Sequence, residues 1–60
     1  MNYNLNLKVN HLNKSLAHVD SFIPIVREHP TPTNLSRLIS LLNQSIKEAQ
    51  DVQQEIKGQT

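Results

Sequence analysis

The sequence of 60 residues lacks cysteine, has a single glycine and contains no long apolar run. Without cysteine the chain can form neither a disulfide framework nor a thiolate metal site, and three scattered histidines are a poor substitute. One glycine is too few for a phosphate-cradling loop. No apolar run approaches the roughly 18 residues that span a bilayer, and the polar N-terminal stretch lacks the apolar centre of a signal peptide. We therefore expect a cytoplasmic protein with no membrane partner.

No residues form a recognisable catalytic or metal-binding pattern. The serines have no elbow glycine and no neighbouring base in a known arrangement. His11 and His18 are seven positions apart, two helical turns, which is too far for both to bind one ion readily. Glu48, Asp51 and Glu55 recur three and four apart but lack the inward-facing histidines of helical metal sites. We expect no enzyme, no catalytic or metal-ligating residue and no cofactor.

Apolar residues recur at alternating spacings of four and three in both halves of the sequence. Residues three and four apart share one side of an α-helix, so this spacing predicts two amphipathic helices. The first apolar stripe is Leu5, Val9, Leu12, Leu16, Val19, Ile23 and Val26. The second stripe is Leu35, Leu38, Leu42, Ile46, Ala49, Val52 and Ile56. The predicted fold class is all-α.

Prolines indicate where the first helix bends and where it ends. We predict helix one over about residues 5–28, with a kink at Pro24 because the apolar stripe continues through the proline in register. Pro30 disfavours helical geometry at His29 and ends the helix.

The second helix has its own start and stop signals. Thr31 can cap a helix, and Pro32 suits the first helical position, where its missing N–H costs nothing. We predict helix two over about residues 32–57, with Gly58 placed to end it. Two helices of similar length joined by a short loop form an antiparallel hairpin, so residues 1–60 are predicted to be one small helical domain.

A hairpin of this size has more apolar surface than two helices can cover, and a 60-residue core is only marginally stable. The economical solution is a homodimer that forms a four-helix bundle. The predicted core is Leu5, Leu12, Leu16, Ile23, Leu38, Leu42 and Ile46. Four apolar residues lie off the main stripes and are predicted to contact another protein: Leu7, Phe22, Ile25 and Leu41. The predicted function is a small protein-binding regulator, adaptor or inhibitor that acts through an apolar helical face.

An alternative interpretation begins with residues 2–9, where Tyr3, Leu5, Leu7 and Val9 alternate with polar residues as in a β-strand. A short strand followed by two helices resembles the ribbon-helix-helix repressors, whose dimeric ribbon enters the DNA major groove. The resemblance implies a ribbon-helix-helix dimer in which Asn4, Asn6 and Lys8 contact bases. It also implies phosphate contacts from Thr33 and Asn34 at the start of helix two. Only six basic residues are present, few for a protein that binds nucleic acid mainly through phosphates.

A weaker alternative comes from the turn, where Pro30-Thr31-Pro32 is followed by Leu35 and Leu38. This pattern is loosely similar to the needle subunits and small co-chaperones of type III secretion, which are also helical hairpins. The likeness is one of fold alone, and a shared fold does not imply a shared function.

Overall fold

The chain forms two α-helices in a computed structural model that describes residues 3–59. Helix α1 spans Tyr3–Glu28 and helix α2 spans Pro32–Gln59. The helices run antiparallel, because Lys8 near the start of α1 pairs with Glu55 near the end of α2. The Cα atoms extend over 44 × 15 × 10 Å, which describes a flat, elongated hairpin. The predicted helical hairpin is confirmed for the described residues.

Helix α1 includes the N-terminal segment whose alternating pattern favoured a strand. Residues 3–9 are helical, so the strand prediction is wrong there, while Asn2 lies outside the described residues. The physical reason is that Leu5 and Val9 also belong to the helical stripe that continues to Val26. A helix over the whole stripe satisfies its own backbone, whereas an isolated strand needs a neighbour.

Helix α1 also continues through Pro24. Proline has no N–H, so the usual helical hydrogen bond to the Asp20 carbonyl cannot form at this position. The stripe on both sides of Pro24 keeps its register, as the sequence predicted, and α1 ends at Glu28.

The loop between the helices is held by backbone and side-chain hydrogen bonds. The Thr31 hydroxyl oxygen accepts a bond of 3.1 Å from the Asn34 N–H, so Thr31 caps α2. The Asn34 side chain donates to the His29 carbonyl oxygen at 2.9 Å. The His29 carbonyl also accepts from the Thr31 N–H at 2.8 Å, and the His29 N–H donates to the Ile25 carbonyl at 2.8 Å. These bonds occupy polar groups that the ends of two helices leave unpaired.

Helix α2 continues past Gly58 and includes Gln59. No glycine in residues 3–59 has a positive φ angle, so Gly58 does not adopt the left-handed conformation of a helix-ending glycine. The prediction that Gly58 ends the helix is therefore wrong, because glycine permits that conformation without requiring it.

The interface between the helices is partly polar. In each helix, the residues that the other helix shields recur every three or four positions. On α1 they are Leu5, Lys8, Leu12, Ser15, Val19, Phe22 and Val26, and on α2 they are Asn34, Leu38, Leu41, Ser45, Glu48, Val52 and Glu55. Among the described residues only Val19 and Ser45 are buried, at 8% and 6% exposure.

The predicted core agrees with this interface only in part. Leu5, Leu12 and Leu38 are shielded. Four other predicted core residues are exposed in the single chain: Leu16, Ile23, Leu42 and Ile46. They belong to the predicted apolar stripes, so each stripe is directed only partly toward the other helix.

Candidate protein-interaction surface

Most of the large exposed apolar side chains lie on one side of the hairpin. Helix α1 contributes Val9, Leu16 and Ile23, and α2 contributes Leu35, Ile39, Leu42, Ile46 and Ile56. We call this set of residues the apolar face. Their exposed fractions range from 37% for Ile23 to 55% for Ile46. An apolar patch of this extent is typical of a protein-interaction surface.

Helix geometry explains why the two helices contribute to the same side. Leu16 follows the shielded Ser15 by one position, and Leu42 follows the shielded Leu41 by one position. One position turns the side chain by about 100° around the helix axis. Because the helices are antiparallel, this rotation carries both sets to the same side of the plane that contains the two axes.

The α1 part of the apolar face contains a shallow depression of about 210 Å³. Its lining residues are Val9, Asn10, Leu12, Asn13 and Leu16. Positions 9, 12, 13 and 16 are related as i, i+3, i+4 and i+7, which is the set of four residues that receives one side chain of a neighbouring helix in coiled-coil packing. The depression therefore has the form of a site for a side chain from another helix.

The residues predicted to contact another protein lie elsewhere. Leu7 and Ile25 are exposed at 41% and 44%, on the side of α1 opposite the apolar face. They are 18 positions apart, or about 27 Å along the helix. Phe22 and Leu41 are half-buried between the helices. The Lys8 to Glu55 register places Phe22 level with Leu41, so the structure groups both near Ile25 at the loop end and leaves Leu7 apart.

The residues of the DNA-binding interpretation do not form a ribbon within residues 3–9. On α1 a step of two positions turns a side chain by about 200° around the helix axis. Asn6 therefore lies on the opposite side of the helix from Asn4 and Lys8, and the three side chains do not share one face. The Lys8 ammonium lies 3.1 Å from a Glu55 carboxylate oxygen. At the start of α2, Thr33 is exposed and Asn34 is engaged in the loop hydrogen bonds.

Charged and polar pairs lie at the edge of the interface between the helices. Lys8 and Glu55 retain 38% and 23% of their side-chain exposure, so solvent screens the pair and it stabilises the hairpin by about 1 kcal/mol at most. The Gln44 side-chain amide donates to a Glu48 carboxylate oxygen at 2.7 Å. Only the Lys8–Glu55 pair joins the two helices, so it marks the register of the hairpin, whereas the Gln44–Glu48 bond lies within α2.

One residue of the apolar face was absent from the predicted stripes. Ile39 follows the stripe residue Leu38 directly, so the spacing of three and four did not include it. It lies seven positions before Ile46, and both are exposed on the same flank of α2. This heptad spacing is the signal that identifies Ile39.

The described residues offer no metal site or membrane-spanning helix. Within residues 3–59, no three histidine, cysteine, aspartate or glutamate residues are grouped so as to hold a metal ion. Neither α1 nor α2, as described, is long and apolar enough to cross a bilayer. No protein-family model matches the chain, and comparison with curated proteins and with solved structures gives no match either.

Proposed function

We propose that the chain is a non-enzymatic protein-binding module whose apolar face takes a second copy to form a four-helix bundle. In this form it would contact another protein as a small regulator, adaptor or inhibitor. The observation that carries the proposal is the apolar face, where both helices expose large aliphatic side chains on the same side.

The direction of each apolar stripe supports a bundle of four helices. On α1, Leu12 and Val19 are shielded by α2, whereas Leu16 and Ile23 of the same stripe are exposed on the apolar face. The middle of the stripe is therefore directed about 45° away from α2. In a four-helix bundle each helix has two neighbours roughly at right angles, and its stripe is directed between them. The hairpin has the pattern of half such a bundle.

The size of the apolar face is sufficient for a dimer. The Cα extents of 44 × 15 Å give a projected footprint of about 660 Å² per copy before side-chain widths are added, compared with ~800 Å² of buried accessible surface per partner in a stable interface. Complete burial of a half-exposed aliphatic side chain stabilises the complex by about 1 kcal/mol. The apolar faces of two copies together would gain on the order of 15 kcal/mol, which offsets an association cost of about 4–15 kcal/mol.

A dimer of this kind would leave the opposite side of the hairpin open to another protein. Ile25 is 44% exposed there, with Phe22 and Leu41 beside it in the groove between the helices. An aromatic residue next to aliphatic residues is a common composition for the centre of a protein interface. We assign the contact with the other protein to Phe22, Ile25 and Leu41, and Leu7 would add a separate contact nearer the N-terminal end of α1.

Sedimentation equilibrium over a wide concentration range tests the proposal. We expect the unmodified chain to sediment at twice its mass of 6.8 kDa at high concentration. Leu42→Lys should sediment as a monomer under the same conditions, because it places a charge in the centre of the apolar face.

Leu7→Lys is the matched control, because it introduces the same charge at a similarly exposed leucine on the opposite side. It should remain a dimer. A well-folded particle of 6.8 kDa at all concentrations, or equal effects of the two lysine variants, would contradict the proposal.

A further inference from the structure

We infer that the second copy lies on the apolar face in the opposite direction, so that α1 packs on α1, α2 packs on α2 and the two loops lie at opposite ends of the bundle. This inference rests on the proposed dimer and concerns the orientation of the two copies.

Two symmetric arrangements bring the apolar faces of two hairpins together. If the two-fold axis is parallel to the helices, α1 packs on α2 of the second copy and the loops share one end. If the axis is perpendicular to the helices and lies in the interface, α1 packs on α1 and the loops lie at opposite ends. Neighbouring helices are antiparallel in both arrangements, so helix direction does not distinguish the two. The side chains at the interface do.

The outer edges of the apolar face differ between the helices. On α1 the edge is polar throughout, with Asn6, Asn13, Asp20 and Arg27 at seven-residue intervals, all exposed. On α2 the equivalent edge carries Ile39 and Ile46, with Gln53 after them. Each of these residues comes one position after a residue that faces the other helix. The two edges therefore have the same geometry, but the α1 edge is polar and the α2 edge is mainly apolar.

Matching of these edges favours α1 on α1 and α2 on α2. With the loops at the same end, Ile46 would lie beside Asn13 and Asp20 of the second copy. Ile39 would lie beside Asp20 and Arg27, so an apolar edge would meet a polar one. With the loops at opposite ends, Ile46 of one copy lies near Ile46 of the other, close to the two-fold axis. The polar edges of the two α1 helices then also meet, and their amide and charged groups can hydrogen bond.

The depression on α1 favours the same orientation. In the opposite-end arrangement, Ile23 of the second copy enters the depression lined by Val9, Leu12, Asn13 and Leu16. In the same-end arrangement, the residue at that level is Ala49 of the second copy, whose methyl group makes fewer contacts with the lining residues than the larger side chain of Ile23 would.

The opposite-end arrangement is also consistent in register. When Ile23 enters the depression, Leu16 enters the equivalent site formed by residues 16, 19, 20 and 23 of the second copy. On α2, the same packing geometry places Ala49 of one copy among residues 42, 45, 46 and 49 of the other copy. These pairings put the two-fold axis near residues 17–18 of α1 and near residue 47 of α2. The hairpin register, set by Lys8 and Glu55, aligns those levels to within about 3 Å.

Spin labels on the loop test the orientation directly. The chain has no cysteine, so His29→Cys provides one labelling site per copy at an exposed residue whose loop hydrogen bonds use only backbone atoms. Pulsed electron paramagnetic resonance should give a backbone distance of about 35 Å between the two labelled sites, because residue 29 of each copy lies roughly 17 Å along the helix from the two-fold axis. Loops at the same end would give less than about 25 Å, because packed helices are only about 10 Å apart.

Disulfide formation provides a second readout. Val9→Cys mixed with Ile23→Cys should form a cross-linked dimer on mild oxidation, because these positions approach each other only in the opposite-end arrangement. Val9→Cys mixed with Ile56→Cys is the matched control, since those positions approach each other when the loops share one end.

The possible results separate this inference from the proposed dimer. A label distance of about 35 Å with the Val9 and Ile23 cross-link supports the inference. A short distance with the Val9 and Ile56 cross-link overturns the orientation and leaves the dimer in place. No dipolar coupling, together with a mass of 6.8 kDa, overturns both.

Discussion

Replacing Leu16 with alanine distinguishes burial within one hairpin from burial between two copies. Leu16 is 48% exposed in the single chain. Truncation to alanine removes three carbon atoms, worth about 2.4 kcal/mol when fully buried at about 0.8 kcal/mol each. In a lone hairpin the loss should therefore be about half, or roughly 1.2 kcal/mol. In the dimer, Leu16 is buried by the second copy and a cavity would remain, so we expect a loss of about 2–5 kcal/mol per chain.

Leu7→Ala is the matched control for this measurement. Leu7 is 41% exposed, lies on the same helix and faces away from the apolar face. By the same arithmetic its truncation should cost about 1.4 kcal/mol, and the cost should be the same in the monomer and in the dimer because the second copy does not bury this residue.

Urea denaturation followed by circular dichroism gives the free energy of unfolding for each variant. The denaturation should be repeated at several protein concentrations. If unfolding is linked to dissociation, the apparent free energy of unfolding of the dimer rises by about 1.4 kcal/mol for each tenfold increase in concentration. Equal losses for Leu16→Ala and Leu7→Ala, with a midpoint independent of concentration, would refute the reasoning.

Two further predictions concern the loop and the interior of α1. Thr31→Ala should lower the free energy of unfolding by about 1 kcal/mol, because the Asn34 N–H loses its capping partner, whereas Thr31→Ser should keep most of the stability. Thermal unfolding of both variants measures the difference, and equal losses would contradict the cap. Pro24→Ala should raise the melting temperature by restoring a helical N–H to the Asp20 carbonyl, with a gain of about 1–3 kcal/mol. A lower melting temperature would show that the exposed proline ring makes a stabilising contact that alanine loses.

The helices and the loop could be predicted from local signals in the sequence. The four-three spacing of apolar residues extends over most of each half of the chain, so the helical period is repeated many times. At the loop, Thr31 and Pro32 combine a capping hydroxyl with a residue that lacks an N–H, and the Thr31 hydroxyl does accept the Asn34 N–H. Each of these signals acts within a few residues and needs no knowledge of the tertiary structure.

The strand prediction failed because alternation over residues 2–9 is too short to outweigh a longer pattern. Leu5 and Val9 satisfy both periods, whereas only Tyr3 and Leu7 favour the strand. Tyr3 is 76% exposed in the helix, so its position on the polar side costs little. Local alternation was therefore a weaker signal than the stripe that continues from Leu5 to Val26.

The interface within the hairpin could not be predicted from apolar spacing because six of its fourteen residues are polar. Lys8, Ser15, Ser45 and Glu48 face the other helix, although a search for apolar residues discards all four. The spacing identified the apolar residues of each helix, but it could not determine which of them the other helix shields. Leu42 belongs to the stripe and is 42% exposed, so α2 has apolar surface that α1 does not cover.

The polar character of the interface within the hairpin has a consequence for folding. Within the described residues, Val19 is the one buried apolar side chain. The other buried residue is Ser45, whose hydroxyl donates to the Leu41 carbonyl at 3.2 Å. Such an interface buries little apolar surface. The stabilisation from this burial is small compared with the conformational entropy cost of folding, about 1–2 kcal/mol per ordered residue. The residues that would supply more burial, Leu16 and Leu42 among them, lie on the apolar face. Folding of the hairpin and association of two copies are therefore expected to be one linked process, in which the shared core forms only when the apolar faces meet.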